Sequence, residues 1–132
     1  AGQLAVGGDE LYVCDTNNNR LQVFSLTGEH RRSVTGEWTS PVSLCFANYR
    51  LYLVEREYDH DDDVEEGEDR ISQNSVQRQR ILVLSLEGDI LQVVTHPTDP
   101  TAMFNSICCF DGKLLASYGS VGKSGVLALQ GL

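Results

Sequence analysis

Two segments of the chain are closely similar, and this internal repeat constrains the fold more than any other feature of the sequence. Residues 20–28 read RLQVFSLTG, and residues 80–88 read RILVLSLEG. A short apolar segment precedes each copy, LYVCD at 11–15 and LYLVE at 51–55. A more divergent third copy covers residues 113–129. Once an acidic insertion in the second copy is discounted, the period is about 40 residues, which is typical of repeat proteins.

The pattern inside each unit predicts β-strands. Residues 20–26 alternate between two sets of side chains, and neither set is wholly polar, as expected for a strand covered on both faces. Turn-forming Gly, Asn and Asp residues separate the apolar segments, and no helical period is present. We predict strands near residues 3–7, 11–15, 20–26, 30–34, 42–47, 51–55, 79–86, 89–95, 105–110, 113–118 and 124–129. The fold class is therefore predicted to be all-β, with about three β-propeller blades of four-stranded antiparallel sheets.

The first unit carries a polar motif around its central turn. A strand ends at Asp15, Asn18 lies in the turn, Arg20 begins the next strand and Gly28 ends the unit. In this motif the chain resembles the NHL-repeat β-propeller family. The resemblance covers nearly the whole chain, by motif in the first unit and by strand rhythm in the others.

The later units retain less of the motif. Arg80 and Gly88 are kept in the second unit, where Glu55 replaces the aspartate, and the third unit has Tyr118 at that position. An aspartate here can accept backbone N–H bonds across the turn, an asparagine tolerates the left-handed conformation, and an arginine can pair with a nearby carboxylate. We predict that the motif residues hold the blade turns together, with ligand binding as the alternative. These residues are Asp15, Asn18, Arg20, Gly28, Arg80 and Gly88.

We predict that the chain is one propeller segment of three blades. Blade 1 is assigned to about 1–38, blade 2 to about 39–98 with an acidic insertion at 56–78, and an incomplete blade 3 to about 99–132. Propellers have about four to eight blades, so three units do not close a ring alone. The chain can be part of a longer propeller, complete a ring with copies of itself, or dock on other propeller segments. The predicted partners are therefore proteins or the remaining blades, with a homo-oligomer as one form.

The net charge of −9 comes mainly from one segment. Residues 55–70 contain ten of the nineteen acidic residues, so the rest of the chain is nearly neutral. Acidic residues at alternate positions begin like an EF-hand loop, but Val64 stands where the glycine belongs and Arg70 where the glutamate belongs. We predict a solvated, mobile loop, with contact to a basic partner or a calcium site as the alternatives. The candidate contact residues are Asp59, Asp61, Asp62, Asp63, Glu65 and Glu66.

Positive charge is too sparse to predict a nucleic-acid-binding surface. His30, Arg31 and Arg32 form the only basic cluster, whereas phosphate neutralisation needs many clustered Lys and Arg side chains. No apolar run reaches the roughly 18 residues that cross a bilayer, so no membrane interaction is predicted.

The four cysteines have apolar neighbours and no CxxC spacing. They are Cys14, Cys45, Cys108 and Cys109. This pattern predicts small buried side chains in a reducing compartment rather than disulfides or zinc ligands. An intracellular location is therefore favoured.

Two classes of function remain open. The absence of catalytic spacing around His30, His60 and His96, together with the NHL resemblance, predicts a non-catalytic scaffold whose propeller faces bind proteins. The alternative is part of a metal-dependent propeller enzyme of lyase or lactonase type, which needs inward-facing His, Asp or Glu side chains in successive blades. No catalytic residue, metal or cofactor is predicted.

Overall fold

The computed structural model describes residues 4–58, 76–97, 102–110, 113–120 and 122–129, and almost all regular structure in these ranges is β-strand. The strands of sheet 1 are β1 (Leu4–Gly7), β2 (Glu10–Asp15), β3 (Arg20–Ser25) and β4 (His30–Val34). Sheet 2 contains β5 (Pro41–Ala47), β6 (Arg50–Tyr58), β7 (Val76–Leu84) and β8 (Ile90–Val94). Sheet 3 contains β9 (Met103–Phe110), β10 (Lys113–Ser120) and β11 (Lys123–Leu129).

Each sheet is an antiparallel meander in which sequence neighbours pair. The order is β1-β2-β3-β4 in sheet 1, β5-β6-β7-β8 in sheet 2 and β9-β10-β11 in sheet 3. The first strands of the three sheets, β1, β5 and β9, lie next to one another. This arrangement of successive blades confirms the predicted all-β propeller class.

The tight turns use residues that accept a positive φ. Asn48 and Tyr49, both with positive φ, connect β5 and β6, where Ala47 pairs directly with Arg50. The primed turns of two-residue hairpins require this geometry. Gly28 and Gly88 occupy matching turns in sheets 1 and 2 with φ of 95° and 99°.

The first core lies between sheets 1 and 2. Alternate residues of β2 and β3, such as Tyr12 and Leu21, pack against Leu51 and Leu82 of the next sheet. Trp38, in the connection between the sheets, is buried in the same core and donates a hydrogen bond from Nε1 to the Gly88 carbonyl oxygen at 3.0 Å.

The second core lies between sheets 2 and 3. Tyr52 and Val83, on the other face of sheet 2, pack against Phe104 and Ile107 of sheet 3. Because sheet 2 is covered on both faces, successive residues of its strands are both buried, which explains its nearly continuous apolar sequence. The buried Ser43 Oγ accepts a hydrogen bond from the Ile107 N–H at 3.0 Å and so links β5 to β9.

Sheets 1 and 3 each have one uncovered face among the described residues. On this face of sheet 1, Leu4 is 60% exposed and Val6 is 56% exposed. On the uncovered face of sheet 3, Phe110 is 71% exposed and Val126 is 69% exposed. We call these two surfaces the end faces.

Most predicted strands agree with the structure within one or two residues, but β6 and β7 are longer than expected. β6 continues to Tyr58 and β7 begins at Val76, so both strands enter the range assigned to the acidic insertion. Residues 59–75 lie outside the described part of the chain, and with them all six candidate contact residues. Within the described ranges, no helix is long and apolar enough to span a membrane.

The burial predicted for the cysteines is wrong for one of them. Cys14 and Cys45 are buried and Cys109 is partly buried, but Cys108 is exposed. Cys108 and Cys109 are adjacent on β9, and adjacent residues of a strand point to opposite faces. Only one of the two can therefore enter the core between sheets 2 and 3.

Candidate functional site

The predicted motif residues of sheet 1 meet at the turn between β2 and β3. Asp15 and Arg20 are directly opposite each other on the two strands. Arg20 Nε donates to Asp15 Oδ2 at 2.8 Å, and Asn18 Nδ2 donates to Oδ1 at 3.0 Å. The hydrogen bonds from Arg20 and Asn18 lower the pKa of the Asp15 carboxyl below its usual value. The Asp15 carboxylate therefore connects the polar side chains of this turn.

Two details of this turn differ from the prediction. The left-handed residue is Asn19, with φ of 53°, rather than Asn18. Asn18 lies in a short 3-10 helix and uses its side chain instead. The Asp15 carboxylate accepts hydrogen bonds from side chains, among them Arg20 and Asn18, and caps no backbone N–H of the 3-10 helix.

Sheet 2 has the same pair at the corresponding position, in a buried form. Glu55 and Arg80 are opposite each other on β6 and β7. Arg80 Nε donates to Glu55 Oε1 at 2.7 Å, and Nη2 donates to Oε2 at 3.0 Å. Glu55 is 2% exposed, so it is not part of the solvated acidic segment in which the sequence analysis counted it. The bidentate geometry is the strong form of a carboxylate–guanidinium pair.

The connection between sheets 1 and 2 passes between these two pairs. Thr39 N donates to Glu55 Oε2 at 3.0 Å, and Ser40 N donates to Asn19 Oδ1 at 2.8 Å. Thr16 Oγ1 donates to the Pro41 carbonyl oxygen at 2.7 Å. These bonds join the turn of one blade to the start of the next. We call the two ion pairs and this connection the rim.

Sequence reasoning missed Thr16, Asn19 and Thr39 as rim residues. Thr16 and Asn19 lie in the same turn as Asn18, but their residue types alone assign them no contact with the next blade. Thr39 carries no local signal, because its partner Glu55 is sixteen residues away in the chain. The contact between Thr39 and Glu55 can be recognised only once the packing of the two sheets is known.

Two polar side chains on the face of β6 and β7 opposite the Glu55–Arg80 pair have groups without a hydrogen-bond partner. Gln79 is 7% exposed, and neither its amide nitrogen nor its amide oxygen has a hydrogen-bond partner. Arg56 Nε, on the residue that pairs with Gln79 across β6 and β7, is also buried and unsatisfied.

The basic cluster of β4 is neutralised within the molecule. Arg32 Nη1 lies 2.7 Å from Glu10 Oε2, and Arg31 Nη1 lies 3.3 Å from the same oxygen and 3.6 Å from Asp9 Oδ1. Burial opposes ionisation of Glu10, but the hydrogen bonds from Arg32 and Arg31 outweigh it and lower the pKa of the carboxyl. The two arginines are thus balanced by two carboxylates at the same surface.

Sheet 3 has no pair of this kind at the corresponding position. Tyr118 occupies the column of Asp15 and Glu55, and it pairs with Gly125 across β10 and β11. Its ring contacts that of His96 edge-on, with centroids 4.7 Å apart. His30 contacts Phe24 in the same way, and His60 lies outside the described residues. Among the described residues, no three His, Cys, Asp or Glu side chains are grouped so that they could hold a metal ion.

The comparisons with known proteins agree with the repeat and with the fold. The family model of the NHL repeat matches residues 3–24, which confirms the resemblance stated from the motif of the first unit. Solved β-propeller proteins share the fold of the chain. The search of curated proteins found no match.

Two of these solved structures are hydrazine synthase of Kuenenia stuttgartiensis and glutaminyl cyclase of Myxococcus xanthus. The first has a TM-score of 0.64 and 13% identity, and the match covers 96% of this chain and 33% of that chain. The second has a TM-score of 0.63 and 17% identity, and the match covers 96% of this chain and 46% of that chain. The chain therefore spans about a third of the first of these two proteins and just under half of the second.

Proposed function

We propose that the chain is a non-catalytic protein-interaction scaffold whose propeller blades bind further polypeptide. The exposed apolar residues of the two end faces carry this proposal. An apolar sheet face that is exposed in this way is a candidate site of protein association. Leu4 and Val6 on one face, and Phe110 and Val126 on the other, belong to sheets whose opposite faces are packed in the cores.

The occupant that we propose for an end face is another sheet of the same kind. Sheet 2 provides the comparison within the molecule, because a neighbouring sheet covers each of its faces. The matched propeller structures extend well beyond the part that this chain matches. A second copy of the chain supplies such sheets and is therefore the simplest probe of the binding surface.

The geometry of the rim supports a binding role in preference to catalysis. Asp15 and Glu55, the two carboxylates at matching positions, are engaged by Arg20 and Arg80. Their charges stabilise turns, and they present no free base toward a substrate.

Sedimentation velocity across a concentration series tests this proposal. We expect the chain to associate reversibly, with an end face of one copy against that of another. Val6→Lys and Val126→Lys place a charge in an end face and should shift association to higher concentration. Leu26→Lys is the matched control, since Leu26 is 59% exposed but lies in a turn. A monomer at every concentration, or equal effects of all three substitutions, would overturn the proposal.

A metal titration distinguishes the scaffold proposal from the alternative of a metal-dependent enzyme. If the scaffold proposal is correct, calorimetric titration of the chain with Zn²⁺ should give no stoichiometric binding, and any binding of Ca²⁺ should be unaffected by Glu55→Gln. Stoichiometric binding that Glu55→Gln abolishes would support a metal-dependent enzyme instead. Asp9→Asn is the control, because Asp9 is exposed and remote from the rim.

A further inference from the structure

Cys45 and Cys109 face each other across the core between sheets 2 and 3. Cys45 lies on β5 and Cys109 on β9, the first strands of the two sheets. Their Sγ atoms are 2.8 Å apart, and either thiol can donate to the other. Both cysteines are free. The contact joins residues 64 positions apart, so it depends on the packing of two blades.

The surroundings of the pair favour thiols in the resting state. Burial raises the pKa of both Cys45 and Cys109, so the pair is protonated at neutral pH. Cys45 is the more buried of the two, whereas Cys109 is partly exposed. A small reagent therefore reaches Cys109 first.

We propose that Cys45 and Cys109 form an oxidation-sensitive modification site, which a hydroperoxide converts into a disulfide joining sheet 2 to sheet 3. The Cys109 sulfur loses its proton and attacks one peroxide oxygen, which breaks the O–O bond. It becomes a sulfenic acid, and the released hydroxide takes the proton as water. Cys45 then attacks the Cys109 sulfur, the S–O bond breaks and a second water leaves. Two thiols are oxidised and one hydrogen peroxide is reduced to two waters.

The other two cysteines are placed so that they do not compete within the molecule. Cys14 is buried in the separate core between sheets 1 and 2. Cys108 is next to Cys109 in the chain, but it is exposed on the opposite face of β9. Because Cys108 can link two copies of the chain, a Cys108→Ser background isolates the internal pair.

Hydrogen peroxide treatment of the reduced Cys108→Ser chain tests the proposal. We expect denatured protein to lose two of its three thiols and two hydrogens in mass, and peptide mapping to connect Cys45 with Cys109. A thiol reductant should restore both thiols. The oxidised chain should also unfold at higher urea concentration than the reduced chain, because the link closes a long loop in the unfolded state.

Two further variants make the result specific. Cys14→Ser, in the same background, should retain the full response because Cys14 lies in the other core. Cys45→Ser should remove the internal link and leave Cys109 to oxidise beyond the sulfenic acid. A link through Cys14, no link at all, or sulfinic acid at Cys109 in the chain that retains Cys45 would overturn the proposal.

Discussion

Arg80 on β7 donates two hydrogen bonds, of 2.7 and 3.0 Å, to the buried carboxylate of Glu55 on the adjacent strand β6. The N–H of Thr39, from the connection that arrives from sheet 1, adds a third bond to the same carboxylate. One side chain thus ties the middle strands of a blade to the segment that leads into it. The pair in sheet 1, Asp15 with Arg20, has the same register but lies closer to solvent.

Removing the arginine of each pair should have unequal effects. Arg80→Ala leaves a buried carboxylate without its counter-charge, and we expect the free energy of unfolding to fall by about 3 kcal/mol. Arg20→Ala affects a pair whose side chains are 40% and 26% exposed, and we expect a loss of at most about 1 kcal/mol. Urea unfolding of the two variants measures the difference. Equal losses would contradict the distinction between a buried and an exposed pair.

The matching turn glycines should also respond differently to substitution. Both Gly28 and Gly88 have positive φ, so alanine strains either turn by a similar amount. A Cβ at Gly88 would in addition collide with the carbonyl oxygen of Thr35, whereas no atom lies within 4 Å of a Cβ at Gly28. Gly88→Ala should therefore lower the thermal unfolding midpoint more than Gly28→Ala. The same midpoint for both variants would show that the contact with Thr35 has no cost.

The Asp15 carboxyl should make stability depend on pH in the acidic range. Its pKa in the folded chain is lowered, so the unfolded chain takes up the proton first as the pH falls. The stabilisation is fully present above the unfolded pKa of about 4 and is lost as the pH falls through the lower folded value. Urea unfolding between neutral and strongly acidic pH should show a smaller acid-induced loss for Asp15→Asn than for the unsubstituted chain. Parallel pH profiles would exclude this contribution.

The indole nitrogen of Trp38 should contribute to stability separately from its packing. Trp38→Phe keeps an aromatic ring in the core but leaves the Gly88 carbonyl oxygen without its buried donor. We expect the free energy of unfolding to fall by about 1–3 kcal/mol, the usual cost of an unsatisfied buried group. Tyr49→Phe removes a hydroxyl from a side chain that is 82% exposed, and it should have little effect. Chemical denaturation of both variants provides the comparison.

The strand rhythm, most turns and the propeller class could be predicted from the sequence because they depend on local patterns. The alternation of residues 20–26 and the repeat of 20–28 at 80–88 are visible without any structure. The predicted ends of β6 and β7 were less accurate. Charged residues reduce the apolar signal there, yet pairing between the strands continues to Tyr58.

The repeat, the strands and the identity of the turn residues can be read from the amino-acid sequence, since each depends on neighbours along the chain. Which of these residues contact one another depends on how the sheets pack. The burial of Glu55, its bond from Thr39 and the contact between Cys45 and Cys109 all join residues far apart in the chain. Packing one sheet on another brings such residues together and removes water from their polar atoms. A linear pattern does not encode that step, because it depends on the distance between sheets and on their relative orientation.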